Sequence, residues 1–339
     1  MPHLRITGVE RELFLQEPIE FVKTVCDMSD KQSIKLPKNR AIRLLETMAE
    51  YIDNFLFFVV DFYLNLMIYT INKNNSNSTL VYSIPEKFAD RLNSFTDEDI
   101  IDNVLQVFSS LSFIIYEKKN LIGTFEDKFE MVNNHLINLN SEFLKAKLCN
   151  FYSYTLDDMY HDKTTILSKA FDDSINFLFE CLTKQHKYIS LNFMALESIN
   201  SLIFDEELII LVHDFIKIHL KSILSLIDKK EFEELTNYPI FHRFIKNILC
   251  NNFNEIGENL QSVFLYFWKN IMVEIDKYIT NEVQVCGVRK ITNITDMINC
   301  VTKIIDKSKT TQYKEIIYYE IFQLLNIIDK LLNYDFEED

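Results

Sequence analysis

Apolar residues recur every three or four positions along nearly the whole of this chain, and short polar stretches break the runs. That period is the signature of amphipathic helices. In Asn39–Ile52, the residues Ile42, Leu45, Met48, Ala49 and Ile52 fall on one face. The next run, Phe55–Ile71, is apolar nearly all round, with Asp61 and Asn65 inside it. A charge there is costly in lipid, so the run reads as a buried helix of a soluble protein rather than a membrane span. Residues 72–79 follow as a polar loop. Thr96 or Asp97 is placed to cap a helix over Asp97–Tyr116. In Thr124–Asn140, Phe125, Phe129, Val132 and Leu136 form one stripe.

From there the helices read as pairs. Ser141–Tyr160 goes with Lys163–Gln185, and Ser190–Phe204 with Asp205–Asp228. Tyr238–Ile256 goes with Glu258–Ile279, and Val288–Ser308 with Thr311–Tyr334. Each pair spans about forty to fifty residues, the period of HEAT or armadillo repeats. No long linker or shift in composition divides the chain. The expected fold is therefore all-α: a HEAT-repeat α-solenoid, a superhelix of antiparallel helix pairs running as one continuous domain over 1–339.

Composition narrows this further. Of 339 residues only 4 are Gly and 5 Pro, too few for many tight hairpins. Gly8, Gly123, Gly257 and Gly287 are isolated, so no GxGxxG or GxxxxGK[ST] cradle for nucleotide phosphates exists. The net charge of -15 disfavours direct binding to a phosphate backbone and suits basic partners, although it also serves solubility alone. The six cysteines form no CxxC pair and mostly sit in apolar helical runs, which fits a reducing compartment and no disulfide scaffold. The chain opens without a signal-peptide apolar core.

No catalytic constellation emerges. His213 and His219 lie six apart and so do not share a helical face as metal ligands would. There is no HExxH and no GxSxG, and no cysteine sits in a recognisable nucleophile setting. His135, His186 and His242 are scattered and read as surface or satisfied core residues, and Trp268 reads as core. No catalytic, metal or cofactor site is expected. Acidic clusters occur at Asp157, Asp158 and Asp162, and at Glu206 and Glu207, where the helix dipole is explanation enough or a basic partner is bound. With 28 Phe and 16 Tyr, aromatic stripes are expected between stacked helices, and grooves between repeats offer seats for short hydrophobic peptides.

Two phrases go beyond pattern. The opening stretch ELFLQEPIEFVK contains Glu17, Pro18, Glu20 and Phe21, and the later NHLINLNSEFLKAKLCNFYSY contains Phe143, Leu144, Lys145, Ala146, Lys147, Leu148 and Cys149. The first resembles the Glu-Asp-Pro-x-Glu-Phe/Tyr-Ile element of large karyopherins, the importin-β superfamily, with the Asp of the usual pair lost. The second resembles that family's YLRARAC phrase. Asn39–Met48, Ile189–Ile203 and Leu208–Lys229 resemble helices that follow in the same order. The order fits best the branch of importins seven and eight, and the exportin that recycles importin-α shares the opening element. The chain resembles only the middle portion of such a molecule.

The resemblance implies a nuclear transport receptor, or part of one, that acts by binding rather than chemistry. The implied partners are basic cargo proteins, Phe-Gly nucleoporins, and Ran-GTP through repeats missing here, with no direct nucleic acid and no membrane. The implied location is the cytoplasm, the nucleus and the nuclear pore. In the HEAT arrangement the second helix of each pair lines the concave face, which makes Asp172, Asp173, Glu206 and Glu207 the candidate cargo contacts. The alternative is a HEAT-repeat scaffold in another assembly, without transport activity.

Overall fold

A computed structural model describes residues 5–26, 37–74, 94–117, 132–160, 169–204, 208–251 and 260–279, with a few single positions and short stretches elsewhere. Among the described residues the structure is all-α, with no strand. The helices are α1 (Gly8–Gln16), α2 (Pro18–Cys26), α3 (Pro37–Tyr51), α4 (Asp53–Asn74), α5 (Asp97–Glu117) and α6 (Glu142–Tyr160). They continue with α7 (Lys169–Thr183), α8 (Ser190–Phe204), α9 (Leu208–Leu224), the one-turn α10 (Glu233–Thr236), α11 (Pro239–Asn251) and α12 (Leu260–Ile279). The chain divides into two compact units, Met1–Phe215 and Ile216–Asp339.

The opening stretch is two helices separated by one residue. Thr7 caps α1 in a reciprocal box: the Glu10 backbone N–H donates to Thr7 Oγ1 at 3.1 Å, and the Thr7 N–H donates to Glu10 Oε2 at 2.9 Å. Glu17 leaves the helical region, with φ -131° and ψ 72°, and α2 begins at Pro18. Proline suits that first position, because its fixed φ is helical and its missing N–H is not needed there.

In the first unit α4 packs on α5, α5 on α6, and α6 on α8, while α7 lies against both α6 and α8. α3 packs on α4 and α5. α8 is buried over most of its surface, including Leu191, Phe193, Met194, Leu196 and Ile199. Polar Ser190, Asn192, Ser198 and Asn200 are buried with them, so this helix is enclosed on nearly all sides in the middle of the core. α1 and α2 do not simply extend this row, because α2 packs onto α6 and α8. Phe14 and Phe143 meet edge to face with centroids 5.5 Å apart, and Phe14 meets Phe21 at 5.1 Å. The Ser190 hydroxyl donates to the Phe14 carbonyl at 2.5 Å, fixing the start of α8 to α1.

Of the two cap candidates, Thr96 and Asp97, the structure uses Thr96, and α5 begins at Asp97. The Asp99 N–H donates to Thr96 Oγ1 at 3.1 Å, and the Thr96 hydroxyl donates to Asp99 Oδ2 at 2.7 Å. Within α4, residues 54–73 are long and apolar enough to cross a membrane by length and composition, and 56% of that window is buried in the protein. Leu56, Val59, Val60, Leu64, Met67 and Ile68 are buried, and Asn65 turns its amide back onto Asp61. Residues 72–74 belong to this helix, a correction to the loop expected over 72–79. Polar Asn and Lys are tolerated in an exposed last turn, so polarity alone does not end a helix there. The remainder of that loop lies outside the described residues, as do Phe125 and Phe129; Val132 and Leu136 of the same stripe are buried.

The second unit has its own aromatic core. Phe264 stacks on Trp268 at 5.7 Å, and Phe241 meets Phe244 at 6.4 Å and Tyr266 at 6.3 Å. His242 is buried and satisfied, its Nε2–H donating to Tyr266 Oη at 3.0 Å while that hydroxyl donates to the Thr236 carbonyl.

Candidate functional site

The two phrases singled out in the sequence are brought together. Phe21, from the first, lies 5.9 Å from Phe143, from the second. Lys147 reaches the same spot, its ammonium 5.6 Å from the Phe21 ring centre and 5.5 Å from that of Phe143. Leu144, Ala146 and Cys149 are buried, while Lys145 and Pro18 are half-buried and Glu17 is exposed. Helical spacing explains the difference between the two lysines. Positions 143 and 147, one turn apart, lie on the face that meets α1 and α2, and position 145 lies off it.

Lys147 is 5% exposed, and a lysine buried this deeply requires carboxylates close by. Glu10 Oε1 lies 3.1 Å from Nζ, and Asp102 Oδ1 3.8 Å. Burial by itself would lower the lysine pKa, but Asp102 and Glu10 outweigh it and hold the ammonium above its ordinary value. Glu10 thus serves twice: one oxygen closes the cap of α1 and the other receives Lys147. Neither Glu10 nor Asp102 stands out in the sequence as a partner of Lys147. The only sequence signal was the Thr7-x-x-Glu10 capping spacing, and nothing in the pattern announced Asp102.

Next to this cluster lies a pocket of about 230 Å³ between α2, α3, α5 and α6. Asp102, Gln106, Ser109 and Ser110 of α5 line one wall, and Lys147, Asn150 and Tyr154 of α6 the other. Val25 and Glu46 close it from α2 and α3. Tyr154 Oη donates to the Cys26 carbonyl at 3.1 Å, tying the end of α2 to α6.

Deeper in the same unit, α6 and α7 share a polar core. Tyr152 Oη donates to Asn133 Oδ1 at 2.6 Å, and Asn133 Nδ2 donates to the Ala170 carbonyl at 3.2 Å. Burial pushes the Tyr152 hydroxyl and the Cys149 thiol well above their ordinary values, so neither is ionised near neutrality. His186 is pushed down by burial and donates from Nε2 to the Cys181 carbonyl at 3.1 Å. These groups hold structure together rather than presenting a reactive face.

Of the candidate cargo contacts, Asp172 and Asp173 lie side by side near the start of α7, both partly exposed, with Asp172 in the first turn. Partial burial and the neighbouring Asp173 charge raise the Asp172 carboxyl above its ordinary value. Glu206 and Glu207 lie outside the described residues. Among the described residues no group of three or more His, Cys, Asp or Glu side chains is arranged to hold a metal ion. Compared with models of known protein families, with curated proteins and with solved structures, the chain matches none.

Proposed function

We propose that this chain is a nuclear transport receptor of the importin type, or a portion of one, and that it works by binding rather than by catalysis. The observation that carries the reading is the seam of Phe21, Phe143 and Lys147. The two phrases that resemble karyopherins are far apart in sequence yet form one contact. Their meeting supports reading the two phrases as parts of one structural element. In this reading the helices form a HEAT solenoid, and the layering of α4, α5, α6 and α8, each packed on the next, supports stacking. Acidic positions such as Asp172 and Asp173 hold basic cargo, grooves between helices hold Phe-Gly nucleoporins, and Ran-GTP releases the cargo by favouring a different curvature. The protein then moves between cytoplasm and nucleus through the pore.

A second reading is favoured by the opening element. In a plain solenoid each repeat meets only its neighbours. Here α1 and α2 reach α6 and α8, through bonds such as Lys147 to Glu10, whose partners are 137 positions apart. Such a clamp stiffens the unit and suits a HEAT-repeat scaffold that holds other proteins in a fixed assembly. A pull-down of the full chain on immobilised Phe-Gly repeat peptide, with and without a basic cargo peptide, separates the two. Retention of the chain, with cargo binding that weakens in salt, is expected for transport. No retention on Phe-Gly repeats, together with stable membership of a defined complex, replaces it with the scaffold.

A further inference from the structure

We propose that the pocket between α2, α3, α5 and α6 is a binding site for a primary alkylammonium group. The inference is independent of the transport reading. The argument starts from the charges on its walls. Lys147 is the cation in the lining, and its ammonium is already engaged by Glu10 at 3.1 Å and Asp102 at 3.8 Å. Asp102 and Glu46 also face the space, and with Glu10 behind Lys147 the carboxylates outnumber the ammonium. The Glu46 carboxylate, on the partly exposed side of α3, makes no hydrogen bond or ion pair among the described residues.

The neutral lining points the same way. Gln106 Oε1, an acceptor only, and Ser110 Oγ are both buried without a hydrogen-bond partner among the described residues. Buried polar atoms left without partners mark a place where something else supplies them. Asn150 Oδ1 and Tyr154 Oη are already occupied, by Cys26 Sγ and the Cys26 carbonyl. The unfilled groups are an amide oxygen, which only accepts, and a hydroxyl, which can do either, and in the lining carboxylates outnumber the ammonium. A ligand that fits must bring donors and positive charge. A primary ammonium supplies three N–H donors and one charge, and Val25 and Leu105 give its alkyl chain an apolar wall. About 230 Å³ lies below the size of drug-binding pockets and suits a chain of a few carbons. The group arrives either as a free alkylamine or as the lysine side chain of a partner.

The test is isothermal titration calorimetry of the full chain with pentylammonium, pentanol and pentanoate, and with Nα-acetyl-lysine methylamide as the side-chain source. Pentylammonium is expected to bind saturably at one site with a Kd at or below about 1 mM, and pentanol and pentanoate not to bind. Binding of the lysine derivative assigns the site to a partner's side chain, and its exclusion assigns the site to a free amine. Glu46→Gln is expected to weaken pentylammonium about tenfold, the loss of one partly solvated charge contact. Glu12→Gln, on the exposed face of α1, controls for diffuse attraction to a chain of net charge -15 and leaves the affinity unchanged. Absence of saturable binding, equal binding of pentanoate, or equal loss in both variants overturns the proposal. Circular dichroism of Glu46→Gln confirms that the fold is retained, so weakening is read at the pocket.

Discussion

Lys147 concentrates more of the physics of this protein than any other side chain. Its charge is buried against two aromatic rings and neutralised by Glu10 and Asp102. Removing one member of such a cluster leaves an uncompensated buried charge, which costs about 3–5 kcal/mol. Lys147→Met is therefore expected to lower stability by about that amount in urea denaturation. Combining it with Asp102→Asn and Glu10→Gln recovers part of the loss, because no bare carboxylate remains. A full-size loss in the triple variant counts against this assignment. Asp99 gives the residue-scale pH dependence. Burial raises its pKa, but the Thr96 hydroxyl, the Ile6 and Thr96 N–H groups and Arg5 outweigh burial and leave it below the ordinary 3.8. A depressed carboxylate contributes stability above its unfolded pKa and loses it as pH falls through the folded one. Acid unfolding of the native chain is thus expected to steepen below about pH 3.8, and less so in Asp99→Asn. Identical acid profiles exclude the role.

At the scale of elements, caps and seams decide where helices start and what they cover. Thr7 closes α1 and holds Glu10 where Lys147 needs it. Thr7→Ala is expected to cost about 1 kcal/mol for the cap. The cost is expected to fall in a Lys147→Met background, because part of it comes from aiming Glu10; a double-mutant cycle reads that coupling. Phe14 is fully packed among Phe21, Phe143 and Tyr188. Phe14→Ala is expected to cost about 3–5 kcal/mol, among the larger single losses in the first unit.

At the scale of the whole molecule, the opening element clamps distant parts of the first unit rather than adding one more layer to it. Phe14, Phe21, Val22 and Val25 are all buried there. At about 1.5–3 kcal/mol for each buried side chain, their total is of the same order as the whole stability of a domain. Deleting residues 1–26 is expected to expose the faces of α6 and α8 and to abolish cooperative unfolding of the first unit, measured by circular dichroism and dye binding. A truncated chain that unfolds as cooperatively as the intact one shows that the row α4, α5, α6, α8 stands without the clamp.

The helices themselves were written in the sequence. Their period, a cap at Thr96 or Asp97 and the poverty in glycine predict an all-α chain, because these signals act within a few residues of one another. The rest was decided by tertiary structure. Lys145 and Lys147 stand in the same phrase, yet one is half-buried and the other sealed beneath α1. Periodicity tells which residues share a face, but not which distant helix will cover that face. The same holds for the pocket, whose walls come from four helices spread from Val25 to Tyr154. Its charge balance exists only once Glu46, Asp102 and Lys147 have been brought together, and no local pattern records that meeting.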